Sequence, residues 1–193
     1  MRVTREQAAE NRERIVHEAA RLFREGGFAA VGVDAICDAA GLTHGNVYSR
    51  FRSKEAMMAA AVREGHAQGA ARLETAGSLE EIAARYLSTL HRDNRGQGCF
   101  MAALGGEAPR QSRDVRKSFT GVVNSVSAYI SNFVRGKSRR ERVDEALAIA
   151  STMVGAMVLA RAVDDKKLSD RILKAGRRHI ALRSDRNNPA PKA

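Results

Sequence analysis

Tryptophan is absent from this 193-residue chain, aromatic residues make up 5% of it, and it has two cysteines and three prolines. With so few aromatic side chains, a hydrophobic share of 44% must come from Ala, Val, Leu, Ile and Met, a composition that favours helices over sheets. Cys37 and Cys99 are too few for a disulfide framework, and neither a CxxC pair nor a Cys/His cluster with metal spacing occurs. The expectation is reduced thiols, no metal and no cofactor. The longest apolar run, Met153 to Ala160, falls well short of the ~20 residues that cross a bilayer, so no membrane-spanning segment is expected. The N-terminal stretch is charged and offers no continuous apolar segment for secretion, which predicts a cytoplasmic protein. GxSxG, HExxH and P-loop patterns are missing, and His66, His91 and Glu107 share no metal-ligand spacing. An enzyme is therefore not expected, and no catalytic residue is named.

What the chain does have is positive charge, a formal +11 with a pI near 10.4. Its location matters more than its size. Residues 1–55 hold nine Lys+Arg against eight Asp+Glu, while residues 56–193 hold 24 against 14. The larger excess, including Arg139, Arg140, Arg142, Arg177 and Arg178, reads as solvated helix surface. Within the first part, however, Ala39 to Lys54 contains no acid and carries His44, Arg50, Arg52 and Lys54, a local basic face.

Apolar periodicity predicts about nine helices. Ala8, Ile15, Ala19, Leu22 and Phe23 mark the first, stopped at Gly26-Gly27. Val33, Ile36, Cys37 and Ala40 mark a short second helix ending at Gly41. Thr43 can cap a third that runs to about Phe51, with Val47 and Phe51 inward. A fourth starts at Ser53 and loses apolar character after Val62, as a connector between two packed bodies would. Ser78 and Glu81 form a capping-box pattern for a fifth helix reaching about Arg92. A polar loop over 93–98 precedes a short sixth helix over 99–104. Val115 to Phe133 forms the seventh, closed by Gly136, and Glu141 to Val163 the eighth. Ser169 is the expected cap of the ninth, which runs to Leu182 with Leu168 and Leu173 as a hydrophobic staple. Residues 184–193, with Pro189 and Pro191, form an expected disordered tail.

Two short helices joined by Gly-Leu-Thr have the geometry of a helix-turn-helix, whose second helix enters the major groove. Gly41 supplies the turn, Leu42 and Val47 point back to the core, and the opposite face is left to His44, Gly45, Asn46, Tyr48, Ser49 and Arg50. Asn and Arg can read adenine and guanine edges, and Tyr and Lys can hold phosphates. Residues 5–60 resemble the DNA-binding region of TetR-family transcriptional regulators. The motifs are Leu22-Phe23, Gly27-Phe28, Val33-Asp34-Ala35-Ile36, Ala40-Gly41-Leu42-Thr43, Val47-Tyr48-Ser49-Arg50-Phe51 and Ser53-Lys54-Glu55. Beyond them, Gly98-Cys99 and Ala103-Leu104-Gly105-Gly106-Glu107 are similar to one branch of the family. One departure is that Val31 and Gly32 stand where Thr and Ser usually precede the second helix, which removes a cap and a phosphate contact. Gly32 leaves backbone N–H groups free there.

The resemblance implies an all-α protein with a three-helix DNA-binding domain over 1–55 and a ligand-binding and dimerisation bundle over 56–193. It implies a repressor that binds a palindromic operator as a homodimer and is released by a small effector. Thr43, Tyr48 and Lys54 would contact phosphate, His44, Gly45 and Asn46 would face bases, and Arg2 and Arg5 would add backbone or minor-groove contacts. The last two long helices would form the dimer face, with Ala146, Ala150, Met153, Met157 and Ile180 as candidates. Tyr86, Leu90, Phe100, Met101, Leu104, Phe119 and Met153 are candidate pocket residues, with His91 and Asn124 as polar anchors, and an apolar or aromatic effector is expected. Two alternatives are a repressor that senses electrophiles or oxidants through Cys99, and a sequence-independent DNA-binding protein carried by the net charge.

Overall fold

The structure is a computed structural model that describes residues 4–73 and 75–187. Arg2 and the 188–193 part of the expected tail lie outside the described residues. Among those described, every regular element is helical and no strand occurs. The α-helices are α1 (Arg5–Ala30), α2 (Val33–Ala40), α3 (His44–Tyr48), α4 (Lys54–Leu73), α5 (Leu79–Tyr86), α6 (Thr89–Asp93), α7 (Phe100–Leu104), α8 (Arg113–Ser131), α9 (Arg139–Ala162) and α10 (Lys166–Asn187). Single 3-10 turns lie at Arg95–Gln97 and Ala108–Arg110. The architecture is an N-terminal helix-turn-helix region followed by a helical C-terminal region.

By packing, the chain divides into two compact units. One takes the residues up to Ala70 together with Arg95–Val122, the other Ala71–Asn94 with the residues from Val123 onward. In the first unit, α1 is the central member. A reciprocal cap starts it: Thr4 Oγ1 accepts from Gln7 N at 3.2 Å, and Gln7 Oε1 accepts from Thr4 N at 3.0 Å. Its face of Ile15, Val16, Ala19, Ala20 and Phe23 is buried. The helix does not simply stop at the glycines. Gly27 takes φ 86° and ψ 163°, after which a last helical turn runs to Ala30. This kink turns Phe28 into the core, 5.2 Å from the Phe23 ring and edge-on to Phe119 at 6.4 Å. Arg24 is also buried, its Nε donating to Gly96 O at 2.7 Å and its guanidinium lying 4.6 Å from the centre of the Phe100 ring.

The second unit is held by α9, α10 and α5, with Leu79, Ile82, Leu87, Ala146, Met153, Met157, Leu173 and Ile180 buried. Three expectations change here. The single fifth helix is two, because the chain breaks helical geometry at Leu87, φ −89° and ψ 44°, and restarts under a new cap at Ser88. The restart resets the helical phase and turns Leu90 outward, 73% exposed, so it lines no core. Ser169 is not a cap: Asp165 is, its Oδ1 accepting from Lys167 N and Leu168 N at 2.8 and 3.1 Å. Ser169 instead lies buried within α10, donating to Ala160 O at 2.6 Å and accepting from Arg92 Nη1 at 2.9 Å. Finally, α10 runs through Asn187, past Ser184 where the sequence places the start of a tail.

Arg92 is the centre of this unit's polar network. It reaches Asp93 and Asp170 as well as Ser169, and those carboxylates raise its already high pKa. Arg161 donates to the carbonyls of His91 and Arg92 at 2.6 and 3.1 Å. His91 Nδ1 lies 2.6 Å from Tyr86 O, and burial, aided by the Arg161 charge, pushes the imidazole pKa down, so it is neutral near pH 7.

Among the described residues, α9 is long and apolar enough to cross a membrane by length and composition, with a mean hydropathy of 1.6 over 18 residues. Counting unbroken apolar runs misses this, because Ser151, Thr152 and Arg161 interrupt the run without lowering the average much. Ala146, Met153, Met157 and Ala160 of this helix are buried within the chain.

The kink at Gly27 leads to a direct expectation. A Cβ there would stand 2.6 Å from Glu107 Oε1, and the positive φ disfavours any L side chain. Gly27→Ala should lower unfolding stability by about 1–3 kcal/mol in urea titration; an unchanged midpoint would mean that the kink tolerates a side chain.

Candidate nucleic-acid interface

Helix α2 ends at Gly41 in the left-handed conformation, φ 62° and ψ 39°, with Gly41 N donating to Asp38 O at 3.1 Å and Leu42 N to Cys37 O at 3.0 Å. Arg14 of α1 donates to Ala40 O, so the C-terminal carbonyls of α2 are held from outside as well. The chain then turns and α3 begins at His44. One turn and a half of helix has little stability of its own, so its inner face must be fixed by packing. Val47 is 2% exposed, and Phe51, just past the helix, is buried with Arg12 lying 5.4 Å from its ring centre. Arg12 is itself gripped by Glu64 of α4 through two hydrogen bonds of 2.8 and 2.6 Å, and the pair raises the Arg12 pKa further. Sequence reading found Val47 and Phe51 by spacing; it missed Arg12, Arg14 and Glu64, since contacts between distant helices leave no periodic signal.

With the inner face anchored, the other side is open. Thr43, His44, Gly45, Tyr48 and Ser49 are exposed, Tyr48 at 54%, and Asn46 and Arg50 are half-buried. Thr43 does not cap the backbone of α3: its Oγ1 accepts from Asn46 Nδ2 at 3.1 Å, so these two side chains are oriented as a pair. His44 Nε2 forms an ion pair with Asp34 of α2, and its ring lies 6.2 Å from that of Tyr48. Both partners of that ion pair are well exposed, so its net contribution is about 0–1 kcal/mol and a base or phosphate can replace it at small cost. Lys54, half-buried, donates from Nζ to Phe28 O at 2.9 Å, leaving two of its three ammonium hydrogens. Arg5 is exposed in the first turn of α1. Gly32 is the N-cap of α2 with no side-chain bond.

Residues 15–61 match the family model described as bacterial regulatory proteins, tetR family. That segment, which holds α2 and α3, is similar to the tetR family. No curated protein sequence matches the chain. Among solved structures, Escherichia coli NemR in its reduced form is similar at 23% identity over 90% of this chain and 96% of that one, TM-score 0.73. A TetR transcriptional regulator from Chloroflexus aurantiacus is similar at 22% identity over 92% and 95%, TM-score 0.74. A transcriptional regulator from Rhodococcus sp. has 19% identity over 93% and 99%, TM-score 0.74. These likenesses carry the fold, while the match over 15–61 marks the segment that contains α2 and α3.

The other candidates from sequence fall within separate units. Phe100, Leu104 and Phe119 are buried and Met101 half-buried in the first. Tyr86 and Met153 are buried in the second, where Leu90 and Asn124 are exposed. Cys99 is half-buried at the N-cap position of α7, whereas Cys37 is buried and its thiol pKa is pushed up, first by burial and then by Asp34 and Asp38.

The geometry separates anchoring from reading. Val47→Ala should lower the unfolding free energy, while Tyr48→Ala should leave it within about 0.5 kcal/mol of wild type and weaken duplex binding for all sequences. Asn46→Ala should cost ~1–3 kcal/mol at particular base pairs only. A uniform loss across sequences from Asn46→Ala would remove its base-reading role.

Proposed function

We propose that the chain is a homodimeric tetR-family repressor that sets two copies of α3 into successive major grooves of a palindromic operator and is released by a small apolar or aromatic effector. Residues 1–55 serve as the reader and residues 56–193 as the effector-binding and dimerising part, acting in the cytoplasm without catalysis. The observation that carries this reading is α3, which buries Val47 and exposes Thr43, His44, Gly45 and Tyr48. Thr43, Tyr48, Lys54 and Arg5 supply phosphate contacts; His44, Asn46 and the bare backbone at Gly45 face bases. Arg2 keeps the role that the family resemblance implies. One reader helix covers only a few base pairs, so useful affinity calls for two, ~34–36 Å apart along the duplex.

Dimerisation through α9 and α10 is supported by what those helices leave uncovered. Leu147, Val158 and Leu159 of α9 and Leu168 and Leu182 of α10 are exposed, together with the small residues Ala148, Ser151, Gly155 and Ala162. The most apolar stretch of α9 has only 33% of its residues buried inside the chain. The dimer candidates read from sequence change accordingly. Ala146, Met153, Met157 and Ile180 are intrachain core, because α9 and α10 present them to the chain's own packing, and Ala150 is half-buried. Tyr86, Phe100, Met101, Leu104, Phe119 and Met153 are kept as the proposed effector contacts. Leu90 drops out because it faces solvent.

Selection of duplexes from a random pool by the purified chain tests the main reading: an inverted repeat should be enriched. Equal affinity for all duplexes with a steep salt slope would replace it with sequence-independent binding. For the dimer, Val158→Glu combined with Leu159→Glu should give a monomer by light scattering and more than about 100-fold weaker operator binding, since each helix then binds alone. Leu90→Glu, equally apolar in origin and more exposed, should remain dimeric; a dimeric Val158/Leu159 double variant would move the interface elsewhere.

A second reading gives release to the Cys99 thiol. Of the two cysteines it is the accessible one, and the similar NemR structure is described as a reduced form. Under this reading, Cys99→Ser should abolish operator release by an alkylating electrophile while Cys37→Ser should not. Release that persists in Cys99→Ser leaves the apolar effector as the trigger.

A further inference from the structure

The kink in α1 leaves one residue held from both sides. Gly27 takes the positive φ, and the N–H of the next residue, Phe28, donates to Glu107 Oε2 at 2.9 Å. The carbonyl of the same residue accepts from Lys54 Nζ at 2.9 Å. Glu107 thus stands 79 positions away in sequence from the residue it holds, and only glycine at 27 leaves room for it. Glu107 is itself set by the 3-10 turn it precedes and by its own N–H to Leu104 O at 3.0 Å, at the end of α7. Helix α7 is fixed to α1 through Phe100 under Arg24 and through Arg24 Nε to Gly96 O. Segment 95–107 therefore grips the C-terminal half of α1 at two points, and one of them continues to the first residue of α4.

We propose that Glu107 is a positioning residue for DNA binding: by holding the Phe28 amide, it fixes the Phe28 carbonyl that seats Lys54, and so sets the first turn of α4 and the adjoining end of the reader helix. The inference rests on the reading of α3 as the reader and names the regulation of that site. The N–H and C=O of one residue belong to the two peptide units that flank its Cα, so a carboxylate on one and an ammonium on the other together fix the φ and ψ of Phe28, and loss of either loosens both. Whatever shifts the Gly105-Gly106 turn moves Glu107, and the movement reaches Lys54 through a single residue. Lys54 is then both a phosphate ligand and the far end of this relay.

The test uses the full chain and a duplex enriched by the wild type. Glu107→Ala should weaken binding about tenfold, and Glu107→Gln, which keeps an acceptor oxygen, should recover most of that loss. Lys54→Met should weaken binding as well, and the Glu107→Ala/Lys54→Met double variant should bind no more weakly than the product of the singles divided by about five, because both act through Phe28. Circular dichroism establishes that each variant is folded. In the absence of DNA, hydrogen exchange at the Phe28 amide should quicken in Glu107→Ala while that of Ile15, in the middle of α1, stays unchanged. Wild-type affinity in Glu107→Ala, losses that multiply fully in the double variant, or unchanged Phe28 exchange would each overturn the relay. Should the wild type enrich no duplex, the assignment of α3 falls first, and the exchange result still reports whether Glu107 holds Phe28.

Discussion

A five-residue helix is not stable by itself, and the residues proposed to read bases stand on one. What makes α3 usable is the burial of Val47 and Phe51 on its inner side. Its outward residues are then held without being covered. Around that anchor the supports are polar as well as apolar: Arg12 lies over Phe51 and is fixed by Glu64, and Arg14 closes the end of α2. Each of these brings α1 or α4 to bear on the two short helices. The long helices are rigid because they are long and well packed, and the short ones take their position from them.

The same arrangement explains why net charge is a poor guide here. The region up to Glu55 is nearly neutral, yet three of its eight acids are occupied within the chain: Glu18 and Glu25 with Arg21, and Asp34 with His44. Pairing on α1 keeps those charges local, and beyond a Debye length of about 8 Å they are screened. The acid-free stretch from Ala39 to Lys54 is then free to set the local potential that a phosphate backbone meets.

Much of the reader was legible in the sequence because it is built from local rules. Spacing of three and four placed Val47 and Phe51 inward, and Gly41 marked the left-handed turn. The parts that were not legible are of two kinds. Helical phase is continuous on paper, so Leu90 was read in register with Ile82 and Tyr86 until the break at Leu87 shifted it outward. A hydroxyl near a helix start reads as its cap, which favours Ser169 over Asp165 and gives Thr43 to the backbone, whereas the partner of Thr43 is Asn46. Ala146, Met153, Met157 and Ile180 show the remaining limit: an apolar stripe on a helix says that something covers it, not whether the cover is the same chain.

Lys54 is where these strands meet. As a phosphate ligand it would gain from being free and extended, whereas the structure ties it to a backbone carbonyl. The two demands are compatible, because an ammonium has three donors and a carbonyl takes one. Tying the group down also removes side-chain entropy before DNA arrives, up to about 2 kcal/mol for a lysine, a cost that would otherwise fall on binding. The benefit lasts only as long as Phe28 stays in place. Phe28 is itself held by an aromatic cluster with Phe23 and Phe119 and by the Glu107 carboxylate, so the readiness of a surface lysine depends on a buried ring and a kink enforced by glycine. A regulator needs a reader that is preorganised in one state and can be disturbed in another. A single residue whose two backbone groups are held from opposite sides satisfies both conditions.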